Sequence, residues 1–336
     1  MLAIAGGGPV APASNAMKLL VLGGTVFLGR HIVEAALAQG EQVTLFNRGR
    51  SAAALFPGVE RLIGDRDGDL RALQGRRFDA VVDCSGYTPE QLARTAAALG
   101  GETPHYTFIS SISAYAAFPP GIAFDETAAV APGHEGYGAL KARAEEALDA
   151  ALPGRVARVR PGLIVGPHDP TGRFTYWPTR VARGGDVLAP GDPGRMVQFI
   201  DARDLALWCL QLARRRTSGV FNAVGPGMTM ASLLDECLRV TGSNARFVWL
   251  ADEELIAQGV APWTALPLWI PQSDPSFGGM LLAMNRRALD AGLVARPLRE
   301  TIRDTLQWVN DGGAASASGA GTLSPAMEAR CLAHIR

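Results

Sequence analysis

The stretch Lys18-Leu-Leu-Val-Leu-Gly-Gly-Thr-Val-Phe-Leu-Gly-Arg-His-Ile-Val-Glu-Ala-Ala-Leu-Ala-Gln-Gly40 decides the fold. The run Leu19 to Leu22 is apolar without a break, as a strand buried on both faces requires. Gly23 and Gly24 then turn the chain, and the following stretch is amphipathic up to Gly40, a good helix stop. Gly23 permits a tight turn and Gly29 lets the helix pack closely on a sheet, so that the helix N-terminus can face a pyrophosphate. The usual spacing places a third glycine between them. Val26 stands there instead, and its bulk restricts how closely a phosphate approaches the backbone. Thr25, Phe27 and Leu28 share this turn and join Gly23 and Gly29 as candidate dinucleotide contacts.

The same strand-then-helix texture continues. Apolar runs at 43–46, 59–63, 80–83, 106–109 and 156–159 alternate with helix-like or loop-like stretches. Such alternation predicts an α/β fold, a doubly wound parallel sheet of the Rossmann kind with helices on both faces. Beyond 167 prolines and glycines become dense, which marks a smaller C-terminal substrate-binding region with helices near 202–213, 230–241 and 299–309. The expected organisation is a tail at 1–16, a dinucleotide-binding domain at 17–167, a substrate-binding region at 168–310, and a linker with a short closing helix at 311–336. The tail lacks the basic start of a signal peptide and ends in Ser14-Asn15-Ala16, like the scar of a cleaved tag, so Met17 is taken as the functional beginning.

Composition narrows the partners. Thirty-two basic and 32 acidic residues cancel, which offers no general field for nucleic acid, and small-molecule substrates fit better. The four cysteines (Cys84, Cys209, Cys237, Cys331) are widely spaced and the five histidines scattered. That pattern predicts a reducing compartment and no metal. No apolar run reaches membrane-spanning length, so a cytoplasmic protein without a membrane partner is expected.

Tyr137-Gly-Ala-Leu-Lys141 is the sharpest chemical signal. Only two lysines, Lys18 and Lys141, accompany 30 arginines and five tyrosines, so chance poorly explains this spacing. On a helix the two side chains share a face. An ammonium beside the phenol would favour its ionised form and make an acid/base usable near neutral pH. Ser111 follows the strand at 106–109, and its hydroxyl could hold a substrate oxygen at the sheet edge. It could equally cap a turn, and composition alone does not say which serine of Ser110-Ser111-Ile112-Ser113 points inward. At the end of the second strand, where a carboxylate would bond the ribose of NAD, the chain has Asn47-Arg48. With no acid to repel a 2'-phosphate and an arginine to pair with it, NADP is expected, with NAD as the alternative, unless Arg48 is simply solvated. Asp65-Arg66-Asp67 is placed either to touch the adenine or to form a charged turn.

Taken together, GGTVFLG, FISSISAY, YGALK and RPGLIVGP resemble the extended short-chain dehydrogenase/reductases, the NAD-dependent epimerase/dehydratase group, from Lys18 to beyond Asp204. GGTVFLGRHIVEAAL followed by VTLFNRG is similar to an atypical branch described as epimerases or reductases, and also to chloroplast stem-loop RNA-binding proteins. The resemblance implies that Tyr137 is the catalytic acid/base. It implies that Lys141 binds the nicotinamide ribose and lowers the tyrosine pKa, and that Ser111, four residues before Tyr115, polarises the substrate. Cys84, Ser85 and Gly86 would line the nicotinamide ribose, and Pro161 would abut the nicotinamide. A homodimer through the helices beside Tyr137 is also implied.

One departure bears on the substrate. Nucleotide-sugar enzymes of the group carry a pyrophosphate-binding arginine where this chain has Val197, although Arg195 lies two residues earlier. Arg173, Tyr176 and Trp177 offer a cation and stacking surfaces to a ring-bearing ligand, or else pack a proline-rich loop. Tyr87 and Ser113 complete the substrate candidates. The expected activity is hydride transfer between nicotinamide and a carbinol or ketone of a small, possibly sugar-like molecule. The alternative is a non-catalytic dinucleotide fold that binds RNA or senses NADP(H).

Overall fold

The computed structural model describes residues 16–50, 52, 54–313 and 323–334. All but one residue of the expected N-terminal tail therefore lies outside the described residues. The opening stretch folds as strand β1 (Lys18–Leu22) and helix α1 (Phe27–Ala38). Leu19 to Leu22 are completely buried, because both faces of the strand are covered. There follow β2 (Gln42–Asn47), β3 (Glu60–Ile63), β4 (Ala80–Asp83), α2 (Pro89–Ala98), β5 (Tyr106–Ile109), α3 (Tyr137–Ala151) and β6 (Val156–Pro161).

Next come β7 (Leu163–Val165), α4 (Tyr176–Ala182), β8 (Asp186–Pro190), β9 (Met196–Val197), β10 (Phe199–Asp201), α5 (Ala202–Arg215) and β11 (Gly219–Ala223). The chain continues with β12 (Met228–Thr229), α6 (Met230–Thr241), β13 (Arg246–Leu250), α7 (Asp252–Ala257), α8 (Arg286–Asp290), α9 (Leu298–Asn310) and α10 (Pro325–His334).

Seven parallel strands form the main sheet in the order β11-β6-β5-β4-β1-β2-β3. The chain winds outward from β1 to β3, then crosses to β4 on the other side of β1. That reversal opens a crevice at the carboxyl ends of β1 and β4, where ligands bind in such sheets. Helices α1 and α5 pack together on one face, while α2 and α3 pack together on the other.

The second lobe has its own core, built on Phe174, Trp177, Leu188, Leu233 and Trp269. Its strands pair in twos, β7 with β10, β8 with β13, and β9 with β12. Helix α10 is clasped to it by a buried ion pair, Arg180 Nε to Glu328 at 2.7 Å, and Leu188 N–H also donates to Glu328. The expected split at 167 needs correction. Helix α5 and strand β11 lie within 168–310 yet complete the first lobe, because the amphipathic face of α5 is needed to cover α1 and the sheet.

One polar network fixes the end of β4 beside the crevice. Asp83 is fully buried, and Arg66 reaches it through two bonds of 2.7 and 2.8 Å. The Tyr106 hydroxyl donates to it at 2.7 Å and Ser85 N–H at 3.0 Å. Burial alone would raise the Asp83 carboxyl, but Arg66 and these hydrogen bonds hold it below its ordinary value. Asp83→Asn strands a buried guanidinium, so it should lower unfolding stability by about 3–5 kcal/mol. Urea denaturation measures this, and a loss below about 1 kcal/mol would show that the pair does not support the sheet edge.

Candidate active site

The crevice widens into a cleft of about 880 Å³ between the sheet edge and the second lobe. Its floor begins at the glycine turn. Gly23 takes φ 84°, and a Cβ on Gly29 would lie 2.2 Å from the Gly23 carbonyl oxygen, so only glycine lets α1 seat against the turn. Val26 replaces a glycine without strain, because its backbone is extended at φ −130° and ψ 136°. Its half-exposed side chain enters the cleft. Phe27 turns the chain into α1 at φ 37°, a conformation uncommon outside glycine. No side chain caps α1 and no acid lies in its first turn, which leaves its leading amides and dipole open to an anion.

At the end of β2, Asn47 accepts from Gly49 N–H at 2.9 Å, while its Nδ2 is buried without a partner among the described residues. Arg48 and Arg50 also line the cleft, and neither makes an ion pair among the described residues. Asp65 and Asp67 lie on the same rim. Arg66 lines the cleft as well, with both Nη groups of its side chain committed to Asp83. Its guanidinium is turned under the sheet edge, because the buried Asp83 requires a counter-charge.

The other end of the cleft holds the Tyr and Lys pair. Gly136, at φ 83°, leads into α3, and a Cβ on Gly138 would meet the Ser113 carbonyl oxygen at 2.0 Å. Gly138 thus lets α3 close on the turn at Ile112–Ala114 and brings Tyr137 to Ser111. Ser111 does cap that turn, accepting from Ser113 N–H at 3.0 Å, and it lines the cleft as well. The two readings of this serine are compatible. Tyr87, Cys84, Ser85, Ser113 and Pro161 also line the cleft. Burial pushes the Cys84 thiol well up, which keeps it protonated.

Lys141 departs from the simple picture. It is almost completely buried and donates to the carbonyls of Gly86 and Ile109 at 2.6 and 2.8 Å. Its Nζ lies 4.8 Å from the Phe108 ring centre, 5.0 Å from that of Tyr87 and 5.8 Å from that of Tyr137. Burial lowers its pKa to about 8, against the opposing pull of Asp83 and Cys84. The Tyr137 phenol is raised, not lowered. Burial is the main cause, and the Ser111 hydroxyl and the charge of Arg173 oppose it. Lys141 is not among the groups that move the phenol, and its ammonium is bonded to the Gly86 and Ile109 carbonyls.

The second lobe supplies the roof, with Asp169, Thr171, Arg173, Trp263, Met280 and Leu281. Of these only Arg173 was legible in the sequence. Tyr176 and Trp177 are corrected from stacking surfaces to core. They open α4 and are buried on its inner face, and the indole of Trp177 donates to Pro267 O at 2.9 Å. Arg195 is likewise committed, bonding Asp252 at 2.8 Å and the Ile270 carbonyl.

The model of the NAD dependent epimerase/dehydratase family matches residues 19–224. The chain belongs to that family. It is similar to the chloroplast stem-loop binding protein of 41 kDa b of Arabidopsis thaliana, at 28% identity over 251 residues and 68% of this chain. The match spans 65% of that relative's length. In fold it is similar to the UDP-glucose 4-epimerase of Thermus thermophilus in complex with NAD, with TM-score 0.64 and 20% identity, covering 88% of this chain and all of the other. It is similar also to the enzyme WbmH of Bordetella bronchiseptica in complex with NAD+, with TM-score 0.66 and 16% identity, covering 89% of this chain and 100% of that one. Both likenesses are of fold. No helix among the described residues is long and apolar enough to cross a membrane.

Two lysines make the site unusually easy to observe. Isotope labelling of lysine side-chain nitrogen should give one magnetic-resonance signal that titrates near pH 8 and disappears in Lys141→Arg. If neither lysine titrates below the ordinary lysine range, the desolvated ammonium is wrong.

Proposed function

We propose that the protein is a nicotinamide-dependent oxidoreductase of the epimerase/dehydratase type, acting on a carbinol or ketone of a small, sugar-related molecule. The observation that carries the reading is one cleft with an open helix N-terminus at one end and Ser111 and Tyr137 at the other. The residues fit a dinucleotide. The α1 amides and Gly29 would take the pyrophosphate, and Asn47 Nδ2, without a partner among the described residues, would bond the adenosine ribose. An ammonium has three donors and Lys141 uses two on protein carbonyls, so the third would reach the nicotinamide ribose. Arg48 and Arg50, with no carboxylate at the end of β2, support NADP over NAD.

A bound nicotinamide accepts or donates the hydride. In oxidation the carbinol O–H proton passes to the Tyr137 phenolate as the C–H bond gives up its hydride. In reduction the phenol returns that proton to the carbonyl oxygen, which Ser111 orients. The raised Tyr137 pKa keeps the phenol protonated at neutral pH, so the free protein is poised to donate. The rate of carbinol oxidation should therefore climb with pH, because phenolate becomes available only as Tyr137 ionises. Tyr137→Phe should lower turnover about 10²–10⁴-fold on any active sugar or ketone, while NADPH still raises its melting temperature. Unchanged turnover in this variant, or no melting shift with either NADPH or NADH, would contradict the proposal.

The chloroplast relative's name favours a second reading, in which the fold binds stem-loop RNA. A formal charge of zero argues against it. Micromolar, salt-dependent RNA binding that survives Lys141→Ala would favour it.

A further inference from the structure

The roof of the cleft contains a cation with no assigned partner. Arg66, Arg160, Arg180 and Arg195 are all buried, and each lies against a carboxylate. Arg173, half-buried in the cleft wall, makes no ion pair among the described residues. Its Nε–H donates to the Thr171 hydroxyl oxygen at 3.2 Å, and that hydroxyl donates to Asp169 at 2.7 Å. Asp169 is fully buried and also accepts from Thr171 N–H at 2.8 Å. The carboxylate therefore orients Arg173 through Thr171 without neutralising it by contact. The guanidinium lies 5.4 Å from the Trp263 ring centre, and neither Nη group has a hydrogen-bonding partner among the described residues. A planar fork held this way is suited to two parallel bonds to an oxyanion.

Position says which part of the substrate it would meet. Arg173 and Tyr137 line one cleft and act on each other electrostatically, so an anion bound here lies beside the reacting centre. Burial also penalises the guanidinium charge, and Asp169 and Tyr137 only offset this. The arginine that the resembled nucleotide-sugar enzymes give to a remote pyrophosphate has no free counterpart at the corresponding place among the described residues. Val197 occupies that place, and Arg195 is spent on Asp252 and Ile270. Beyond Arg173 the cleft is lined by Trp263, Met280 and Leu281, apolar surfaces on which a compact ring can pack.

Building on the oxidoreductase reading above, we infer that the substrate is a small acid whose carboxylate or phosphate lies near the carbinol to be oxidised, and that Arg173 binds that oxyanion. The protein, saturated with whichever of NAD+ or NADP+ binds more tightly, is titrated calorimetrically with glucuronate, glucose 6-phosphate and glucose. At least one acid should bind about tenfold or more tightly than glucose, and which one does separates carboxylate from phosphate. Arg173→Gln should remove that advantage with cofactor affinity within about twofold of wild type, and Arg173→Lys, which keeps charge but not the fork, should restore part of it. Equal binding of all three sugars, absence of binding by both acids, or an advantage that survives Arg173→Gln overturns the inference. So does a parallel loss of cofactor affinity, which would assign Arg173 to the dinucleotide. Failure of wild type to bind either cofactor appears before any sugar is added and overturns the parent reading as well.

Discussion

The ammonium of Lys141 is the constraint on which the site depends. Two backbone carbonyls, Gly86 beyond β4 and Ile109 at the end of β5, converge on one desolvated cation carried by α3. Three elements are thereby fixed to one another at the point where the sheet opens. Each carbonyl would otherwise be a buried acceptor with one fewer partner, and the cation would be a buried charge with none. The neighbouring Asp83 and Arg66 network acts on the same strand end from below, and Ser85 N–H bonds Asp83 just before Gly86 offers its carbonyl to Lys141. The lining of the cleft is thus set by two buried charges, one paired with a counter-ion and one held by dipoles.

This arrangement changes how the Tyr and Lys spacing is understood. The helix does place both residues on one face, as the four-residue separation requires. The two side chains then part, because Tyr137 opens into the cleft while Lys141 turns toward the strand ends. Charge on the phenol is favoured by Ser111 and by Arg173, a residue of the other lobe. Under the roles proposed for Tyr137 and Arg173, proton transfer and substrate recognition would be electrostatically linked across the cleft.

The sheet was legible because its strands are short apolar runs between turn residues, and β1, β4 and β5 are fully buried over nearly their whole length. The return of α5 and β11 to the first lobe was not, since a local pattern does not state which core an amphipathic face will cover. Gly138 could have been noticed as a glycine in the first turn of a helix, where it has poor intrinsic propensity. Asp169 and Thr171 carried no comparable signal, for their meaning arises only when the loop after β7 folds over the cleft. Tyr176 and Trp177 illustrate the converse error. Aromatic residues beside an arginine read as a ligand surface, and the second lobe used them to fill its core. The buried direction of Arg66 was equally hidden, because Asp83 lies 17 residues away, at the end of β4.

Substrate and cofactor readings meet at one place, the space between Tyr137, Ser111 and Arg173. A crystal structure of the protein with its nicotinamide cofactor tests the account most directly. The account predicts the pyrophosphate at the N-terminus of α1, the nicotinamide ribose in contact with Lys141, and the nicotinamide ring facing Tyr137. A cofactor bound elsewhere, or one whose nicotinamide points away from Tyr137, would contradict it.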